Sequence, residues 1–221
     1  MRLNTAVRSD SSILETNRVL RNTYLLLSMT LLFSAAMAAV AMALNLPHPG
    51  LIVTLVGYFG LLYLTTKFSN SAWGIGFVFA LTGFMGMTLG PLLNMYVQAF
   101  SNGHQLILTA LGGSGVIFLG LSAYALSTRK DFSFMAGFLM VGVLVAFFAG
   151  LAAVLFSIPA LTLAVSVMFI LLMSGMILFQ TSAIIHGGET NYILATVSLY
   201  VSLYNLFTSL LQLLGVFGGD D

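Results

Sequence analysis

Long apolar runs alternate with short polar breaks over most of this chain. Apolar runs of about 17–25 residues are long enough to cross a bilayer as α-helices. Seven such runs occur, at 23–44, 51–66, 72–96, 105–126, 134–156, 160–182 and 192–214. The pattern therefore predicts an all-α, polytopic membrane protein with seven transmembrane helices.

Two places in this pattern leave alternatives open. Gly90-Pro91 interrupts the third run, which could therefore form two half-helices, because proline removes a helical hydrogen bond. The fifth and sixth runs are divided only around Ser157-Ile158-Pro159, so a chain of six spans with one long bent helix is an alternative. We favour seven spans because the polar breaks and the charges fit that number.

Composition supports a membrane protein and excludes several functional classes. Only 6% of residues are charged and 59% are hydrophobic, whereas soluble domains carry about 25% charged residues. The net charge of +1 and the absence of a basic patch beyond the N-terminus argue against a nucleic-acid partner. The chain has no cysteine, which excludes disulfides and thiolate chemistry. Membrane lipid is the predicted environment, and no cofactor is indicated.

The basic residues predict the orientation. Residues 1–22 form a polar tail that lacks the apolar segment of a cleavable signal peptide and is expected to be flexible. With seven spans, every basic residue falls on one side, which the positive-inside rule makes the cytoplasm. We therefore predict a cytoplasmic N-terminal tail (1–22), a transmembrane domain (23–215) and a short outer C-terminal tail (216–221). The basic residues are Arg2, Arg8, Arg18, Arg21, Lys67, Arg129 and Lys130.

The last apolar run carries a polar stripe. Its members recur at steps of four and three residues, which places them on one helix face; they are Ser198, Ser202, Asn205, Ser209 and Gln212. Amides are costly in lipid, so this face must meet protein or water. It is either a hydrogen-bonded contact between helices or the wall of a polar cavity. Gln180, near the cytoplasmic end of the sixth run, is most simply explained by solvation at the interface.

Small residues gather in two of the apolar runs. Gly86 and Gly90 form a G-x-x-x-G pattern, and residues 112–115 read Gly-Gly-Ser-Gly. Small residues let helix backbones approach closely, so we expect both sets to be packing surfaces. The second set also fits the G-x-S-G pattern of rhomboid-type intramembrane proteases. A serine nucleophile needs a nearby base, and none of the three histidines is placed to serve Ser114. No metal-binding motif occurs either, so we do not expect an enzyme.

Several segments together resemble one family of membrane proteins. They are "LRNTYLLLSMTLLFSA", "NLPHPGLIVTLVGYFGL", "GFMGMTLGPLLNMY", "SAYALSTRKDFSFM" and "ILFQTSAIIHGGETNYILATVSLYVSLYNLFTSLLQLLG". The chain resembles the Bax-inhibitor family of seven-helix proteins, and within it the bacterial YccA-like branch. The resemblance implies a bundle in which the last helix is central. It also implies a bacterial inner membrane location, modulation of the ATP-dependent protease FtsH, and interaction with FtsH and its prohibitin-like partners.

The family also includes calcium-leak channels, and there this chain departs from the pattern. The resemblance implies two pH-sensing aspartates, one near the end of helix six and one in helix seven. This chain has Gln180 and Ser202 at those positions. Neither side chain titrates, whereas two neighbouring carboxylates would share a proton. A proton-gated latch built on that pair is therefore not expected here.

Two hypotheses of function follow. In the first, the chain binds an FtsH-type protease as a slowly processed competitor, with the tail as a handle and Arg18, Arg21, His186 and Glu189 as candidate contacts. In the second, it is a pH-dependent calcium or other ion leak. Its ion passage would be lined by residues of the last two helices: Gln180, Ser198, Ser202 and Asn205.

Overall fold

The computed structural model describes the backbone of residues 3–218 and side chains from residue 16 onward. Within that part the fold is all-helical. The helices are α1 (Leu3–Ala43), α2 (Leu51–Lys67), α3 (Ala72–Ala99), α4 (Gly103–Thr128), α5 (Ala136–Leu155), α6 (Pro159–Ile185) and α7 (Tyr192–Phe217), with a 3₁₀ turn at Ser133–Met135 before α5.

Six of these helices are long and apolar enough to cross a membrane, counted over the described residues. The exception is α2, an apolar helix of 17 residues, which is at the lower end of the length that spans a bilayer. The predicted all-α membrane protein is therefore confirmed. A crossing by α2, and with it the total of seven, stays a prediction.

The first helix differs from the sequence-based expectation. The tail was expected to be flexible up to residue 22, but α1 begins at Leu3 and runs without a break to Ala43. The chain contains no glycine or proline before Pro47, so nothing in the sequence interrupts the helix once the apolar segment has formed it.

The structure also decides the two alternatives on helix breaks. Pro91 lies inside a continuous α3, so the half-helix alternative is wrong. Its loss of one hydrogen bond is offset by packing, because Gly90 lies against Ala38 and Ala41 of α1. In contrast, α5 ends at Leu155 and α6 begins at Pro159. The single bent helix is therefore excluded.

The closest helix pairing is that of α1 with α3. A Cβ atom built on Gly86 would lie 2.3 Å from the carbonyl oxygen of Ser34, and one on Gly90 would lie 2.9 Å from that of Ala38. The expectation that Gly86 and Gly90 form a packing surface is confirmed. The second small-residue set is divided. A Cβ atom built on Gly113 would lie 3.7 Å from Leu210 of α7, and Ser114 is buried, whereas one built on Gly112 or Gly115 would meet no neighbouring side chain or helix within 4 Å.

The last helix has the largest number of neighbouring helices: α7 contacts α1, α2, α3, α4 and α6. Its buried side chains include Tyr200, Leu206 and Leu211, each almost fully excluded from the surface. The C-terminal half of α6 runs antiparallel to the N-terminal half of α7, joined by the short loop at 186–191. Polar residues on α7 are thereby brought inside the protein.

Loop contacts define the two ends of the bundle. At one end, Asn191 donates to the carbonyl of Ser69, and Ser182 donates to the carbonyl of Lys130. At the other end, Asn94 donates to the carbonyl of Met42, and Asn102 donates to that of Gly218. The basic residues among those with described side chains all belong to the first end: Arg18, Arg21, Lys67, Arg129 and Lys130.

Candidate functional site

The polar stripe on α7 is mostly hydrogen-bonded to its own helix. The Ser202 hydroxyl donates to the carbonyl of Ser198 at 2.8 Å, and the Asn205 amide donates to the carbonyl of Val201 at 2.8 Å. Such bonds, four residues back, remove part of the cost of placing polar groups in an apolar surrounding. Ser202 is buried, whereas Ser198 and Asn205 are half-buried.

One member of the stripe joins two helices. The Ser166 hydroxyl on α6 donates to the Gln212 side-chain oxygen at 2.6 Å. This bond lies toward the end of the bundle that holds Gly218, and it fixes the register of the antiparallel pair. At that end the stripe is a contact between helices, as the first interpretation of the sequence has it.

Farther along, the stripe borders an internal space. Asn205 lines a cavity of about 380 Å³ between α2 and α5, which we call the α2–α5 cavity. The other polar side chains of its lining are Thr54, Tyr58, Thr88 and Tyr204. The contact between helices therefore describes one part of the stripe, whereas at Asn205 the stripe borders a cavity whose lining is mostly apolar.

Gln180 is buried, with 6% of its surface exposed, so solvation at the interface does not describe its position. The Ser166–Gln212 bond sets the register of α6 against α7. Because the two helices are antiparallel, counting fourteen residues from that bond along each helix, toward the loop that joins them, places Gln180 level with Ser198. Beside it, the hydroxyls of Thr181 and Tyr24 lie 3.4 Å apart. Ser202 lies four residues from Ser198, or about 6 Å farther along the helix axis.

No aspartate or glutamate lies in a helix between residues 23 and 217. Asp131 and Glu189, the two acidic residues in that range, are in loops at the basic end. Hydrogen bonds from Ser133, and to a smaller degree the charge of His186, lower the pKa of the Asp131 carboxyl. The interior positions at Gln180 and Ser202 are thus polar and uncharged.

The predicted partner contacts lie at the same end of the bundle. Arg18, Arg21 and His186 are exposed, and Glu189 is half-buried. His186 ends α6, and its Nδ1 lies 2.9 Å from the carbonyl oxygen of Ser182. Glu189 accepts a hydrogen bond from the backbone N–H of Asn191 at 2.8 Å. The loop at 186–191 is therefore held in a defined shape next to the base of α7.

Sequence reasoning missed a buried polar junction of three helices. The Tyr200 hydroxyl on α7 lies 2.6 Å from the Ser34 hydroxyl on α1 and donates to the Thr82 carbonyl on α3 at 3.3 Å. Tyrosine buried in an apolar run usually finds a hydrogen-bond partner. That rule signals a junction at Tyr200, but it does not identify the partners.

The hydroxyl of Ser114, the candidate nucleophile, already donates a hydrogen bond within its own helix. The Ser114 hydroxyl is buried and donates to the carbonyl of Ala110, one turn back on α4, at 2.6 Å. His186 caps α6 at the basic end of the bundle, where its Nδ1 lies against the carbonyl of Ser182. None of the described histidines is therefore placed beside Ser114 as a base.

Comparisons with known proteins agree on one family. Residues 16–219 match the family model described as "Inhibitor of apoptosis-promoting Bax1". The Escherichia coli K12 protein named "Modulator of FtsH protease YccA" is 55% identical over 210 residues, 95% of each chain. The same figures hold for the E. coli O6:H1 protein named "Inner membrane protein YccA". The Pseudomonas aeruginosa protein PA2604 is 54% identical over 219 residues, covering 99% of this chain and 97% of that one.

Proposed function

We propose that this chain, which belongs to the Bax-inhibitor family of membrane proteins, modulates an FtsH-type ATP-dependent protease in the bacterial inner membrane. The observation that carries the proposal is its 55% identity, over 95% of both chains, to a protein named as a modulator of FtsH protease. The mechanism we propose is competition: the chain occupies the protease as a slowly processed substrate.

The proposed topology presents the basic end to the cytoplasm. We propose that all seven helices cross the membrane around a central α7, with the N-terminus inside and the C-terminus in the periplasm. Support comes from the charges, because the described basic side chains share one end of the bundle and the positive-inside rule places that end in the cytoplasm.

The length of α1 supplies the proposed handle. A helix of 41 residues is about 60 Å long, twice the thickness of the hydrocarbon core, so about half of α1 extends beyond it. The extension carries Arg18 and Arg21 on the cytoplasmic side of this topology. A protease that pulls on a chain end would meet this segment first. Nearby, His186 and Glu189 are the candidate contacts contributed by the 186–191 loop.

Packing of α1 explains slow processing. Extraction from the N-terminus must first separate α1 from α3, where Gly86 and Gly90 bring the two backbones into contact. It must also break the bond of Ser34 with Tyr200, which ties α1 to α7. Closely packed helices open cooperatively, so the pulling step is expected to stall at this point.

The test compares the full chain with a variant that lacks residues 2–18, expressed in bacteria that contain an FtsH-type protease. We expect the deletion to lengthen the half-life of the chain and to reduce co-purification of the protease. It should also restore turnover of a second membrane substrate of that protease. A variant lacking residues 219–221, at the opposite terminus, is the matched control and should behave as the full chain. Unchanged association and turnover in the 2–18 deletion would refute the handle.

A second candidate function, a calcium or other ion leak, has one observation in its favour. The hydroxyls of Thr23 and Ser122 are buried and have no hydrogen-bond partner in the part of the chain that the structure describes. Buried polar groups of this kind ordinarily bind water, which is consistent with a hydrated path in the half of the bundle near the basic end.

Flux into liposomes tests the leak. Purified protein is reconstituted with a calcium dye inside the vesicles, and entry is followed at several pH values. A leak predicts calcium entry that is lost in Ser202→Leu, which replaces a buried polar group; because Gln180 and Ser202 do not titrate, this entry is not expected to be gated by pH at those positions. Ser28→Leu, on the exposed face of α1, serves as control. Vesicles that stay impermeable with wild-type protein would remove this candidate.

A further inference from the structure

The α2–α5 cavity is rich in aromatic side chains. Its lining includes seven rings, those of Tyr58, Phe59, Phe84, Phe147, Phe148, Phe169 and Tyr204. The volume of about 380 Å³ lies within the range of small-molecule sites. The floor comes from α7 through Val201, Tyr204 and Asn205, so the cavity reaches the interior of the bundle.

The cavity is accessible from the lipid. No Cα atom of α2 lies within 8 Å of one in α5, so the two helices are separated by a gap. Side chains at the gap are strongly exposed: Phe59 by 47%, Leu144 by 52% and Phe148 by 64%. One aromatic contact crosses it, between Phe59 and Phe147, whose ring centroids are 5.8 Å apart at 88°. A molecule dissolved in the membrane can enter by displacing these two rings.

The polar groups of the cavity differ in what they can still bind. Thr54 and Thr88 donate to backbone carbonyls of their own helices, so only their lone pairs remain available. Asn205 uses one amide hydrogen on Val201 and keeps its second amide hydrogen and its side-chain oxygen. Tyr58 is different, because its hydroxyl takes part in no hydrogen bond within the described chain, although it lines the same space as Tyr204 and Asn205. It is a half-buried donor in a mostly apolar space, and such groups usually have an acceptor.

We propose that the α2–α5 cavity binds a membrane-dissolved compound with a flat ring and a carbonyl oxygen, and that Tyr58 donates a hydrogen bond to that oxygen. The rings around the space provide edge and face contacts to such a molecule. A saturated acyl chain would fill the volume but would leave the Tyr58 hydroxyl without an acceptor. The inference does not depend on the proposed protease function, since none of the candidate protease contacts lines the cavity.

The test uses a photoreactive aryl ketone, an alkyne-bearing benzophenone, because it is itself a ring compound with a carbonyl. The full chain in lipid nanodiscs is irradiated with the probe, and the labelled residues are mapped by mass spectrometry. We expect labels on α2, α5 and α7 at the cavity lining, and competition by an unlabelled naphthoquinone. Tyr58→Phe should lower labelling about 2- to 10-fold, the effect of one hydrogen bond.

Three comparisons make the test decisive. Tyr63→Phe removes a hydroxyl from the same helix at a residue that is 64% exposed and outside the cavity, and should leave labelling unchanged. Leu144→Trp enlarges a side chain at the gap that is 52% exposed, so it should block labelling without burying extra volume in the core. A saturated fatty acid bearing a diazirine is the alternative probe. The proposal is overturned if the fatty acid labels the same residues with equal efficiency, or if either Tyr58→Phe or Leu144→Trp leaves labelling by the ketone unchanged.

Discussion

Individual glycines and hydroxyls decide how α1, α3 and α7 fit together. The G-x-x-x-G pattern identified Gly86 and Gly90 as packing residues, and the structure agrees. The same reasoning was wrong for Gly112 and Gly115, which have no described atoms near a built Cβ. A small residue permits close approach, but the pattern does not reveal whether another helix lies opposite it.

Gly86→Ala tests the approach of α1 to α3. The added methyl would lie 2.3 Å from the carbonyl oxygen of Ser34, so the helices must separate. We expect a loss of about 1–3 kcal/mol in the free energy of unfolding, measured in detergent. Gly76→Ala is the matched control, because Gly76 lies on the same helix and faces open space. The control should be neutral or stabilising by up to about 1 kcal/mol. Equal effects at the two positions would contradict the packing.

The Tyr200 junction is tested by a double-mutant cycle with Tyr200→Phe and Ser34→Ala. Each variant removes one partner of the 2.6 Å bond between α1 and α7. Hydrogen bonds between membrane helices contribute about 0.6 kcal/mol on average and up to about 1.7. We expect a coupling free energy in that range from unfolding in detergent. Additive effects of the two substitutions would show that the bond does not link the helices.

At the scale of helices, the hydrophobic pattern placed six of the seven within about three residues of their observed ends. It failed at the start of α1, which begins at Leu3 rather than at residue 23. The hydrophobic pattern indicates where the lipid-embedded segment begins. A helix, in contrast, continues until a helix-breaking residue or a capping residue ends it. Pro91 shows the converse: it is a breaker by type, yet α3 passes through it because α1 packs against that stretch.

Asn191 joins two roles at the start of α7. Its side-chain oxygen accepts from the N–H groups of Ile193 and Leu194, and its amide donates to the Ser69 carbonyl and the Asn70 side chain. Asn191→Ala should cost about 1 kcal/mol or more in unfolding free energy, since both roles are lost. Asn191→Asp keeps the cap and loses only the bonds to the loop, so its cost should be smaller. An Asn191→Ala variant as stable as wild type would refute the role of this cap.

The whole molecule combines parts that the sequence shows separately. Basic residues far apart in the chain share one end of the bundle, as the predicted orientation requires. At the two interior positions where the family resemblance implies pH-sensing aspartates, this chain has Gln180 and Ser202. They lie at different depths on α6 and α7. The described helices hold no carboxylate between residues 23 and 217, so an ion leak along them would lack this pair of titrating groups.

The proposed topology is testable by single cysteines, because the chain has none of its own. Ser101→Cys and Phe217→Cys are exposed at one end, and Asn70→Cys and Thr190→Cys at the other. In spheroplasts, a membrane-impermeant maleimide should label the first pair, and the second pair only after permeabilisation. Labelling of Phe217→Cys and Thr190→Cys from the same side would overturn the topology.

The sequence by itself determined that this is an all-helical membrane protein, where its helices lie, and how its charges are distributed. A bilayer forces every backbone polar group to bond within its own segment, so local hydrophobicity is enough to identify a helix. Only the tertiary structure decided which faces meet: the burial of Gln180, the Ser34–Tyr200 bond, the open side of Gly112 and the cavity at Tyr58. Lipid is as apolar as a protein core, so hydrophobicity does not separate lipid-facing positions from buried ones. Shape and hydrogen bonding between distant segments make that choice.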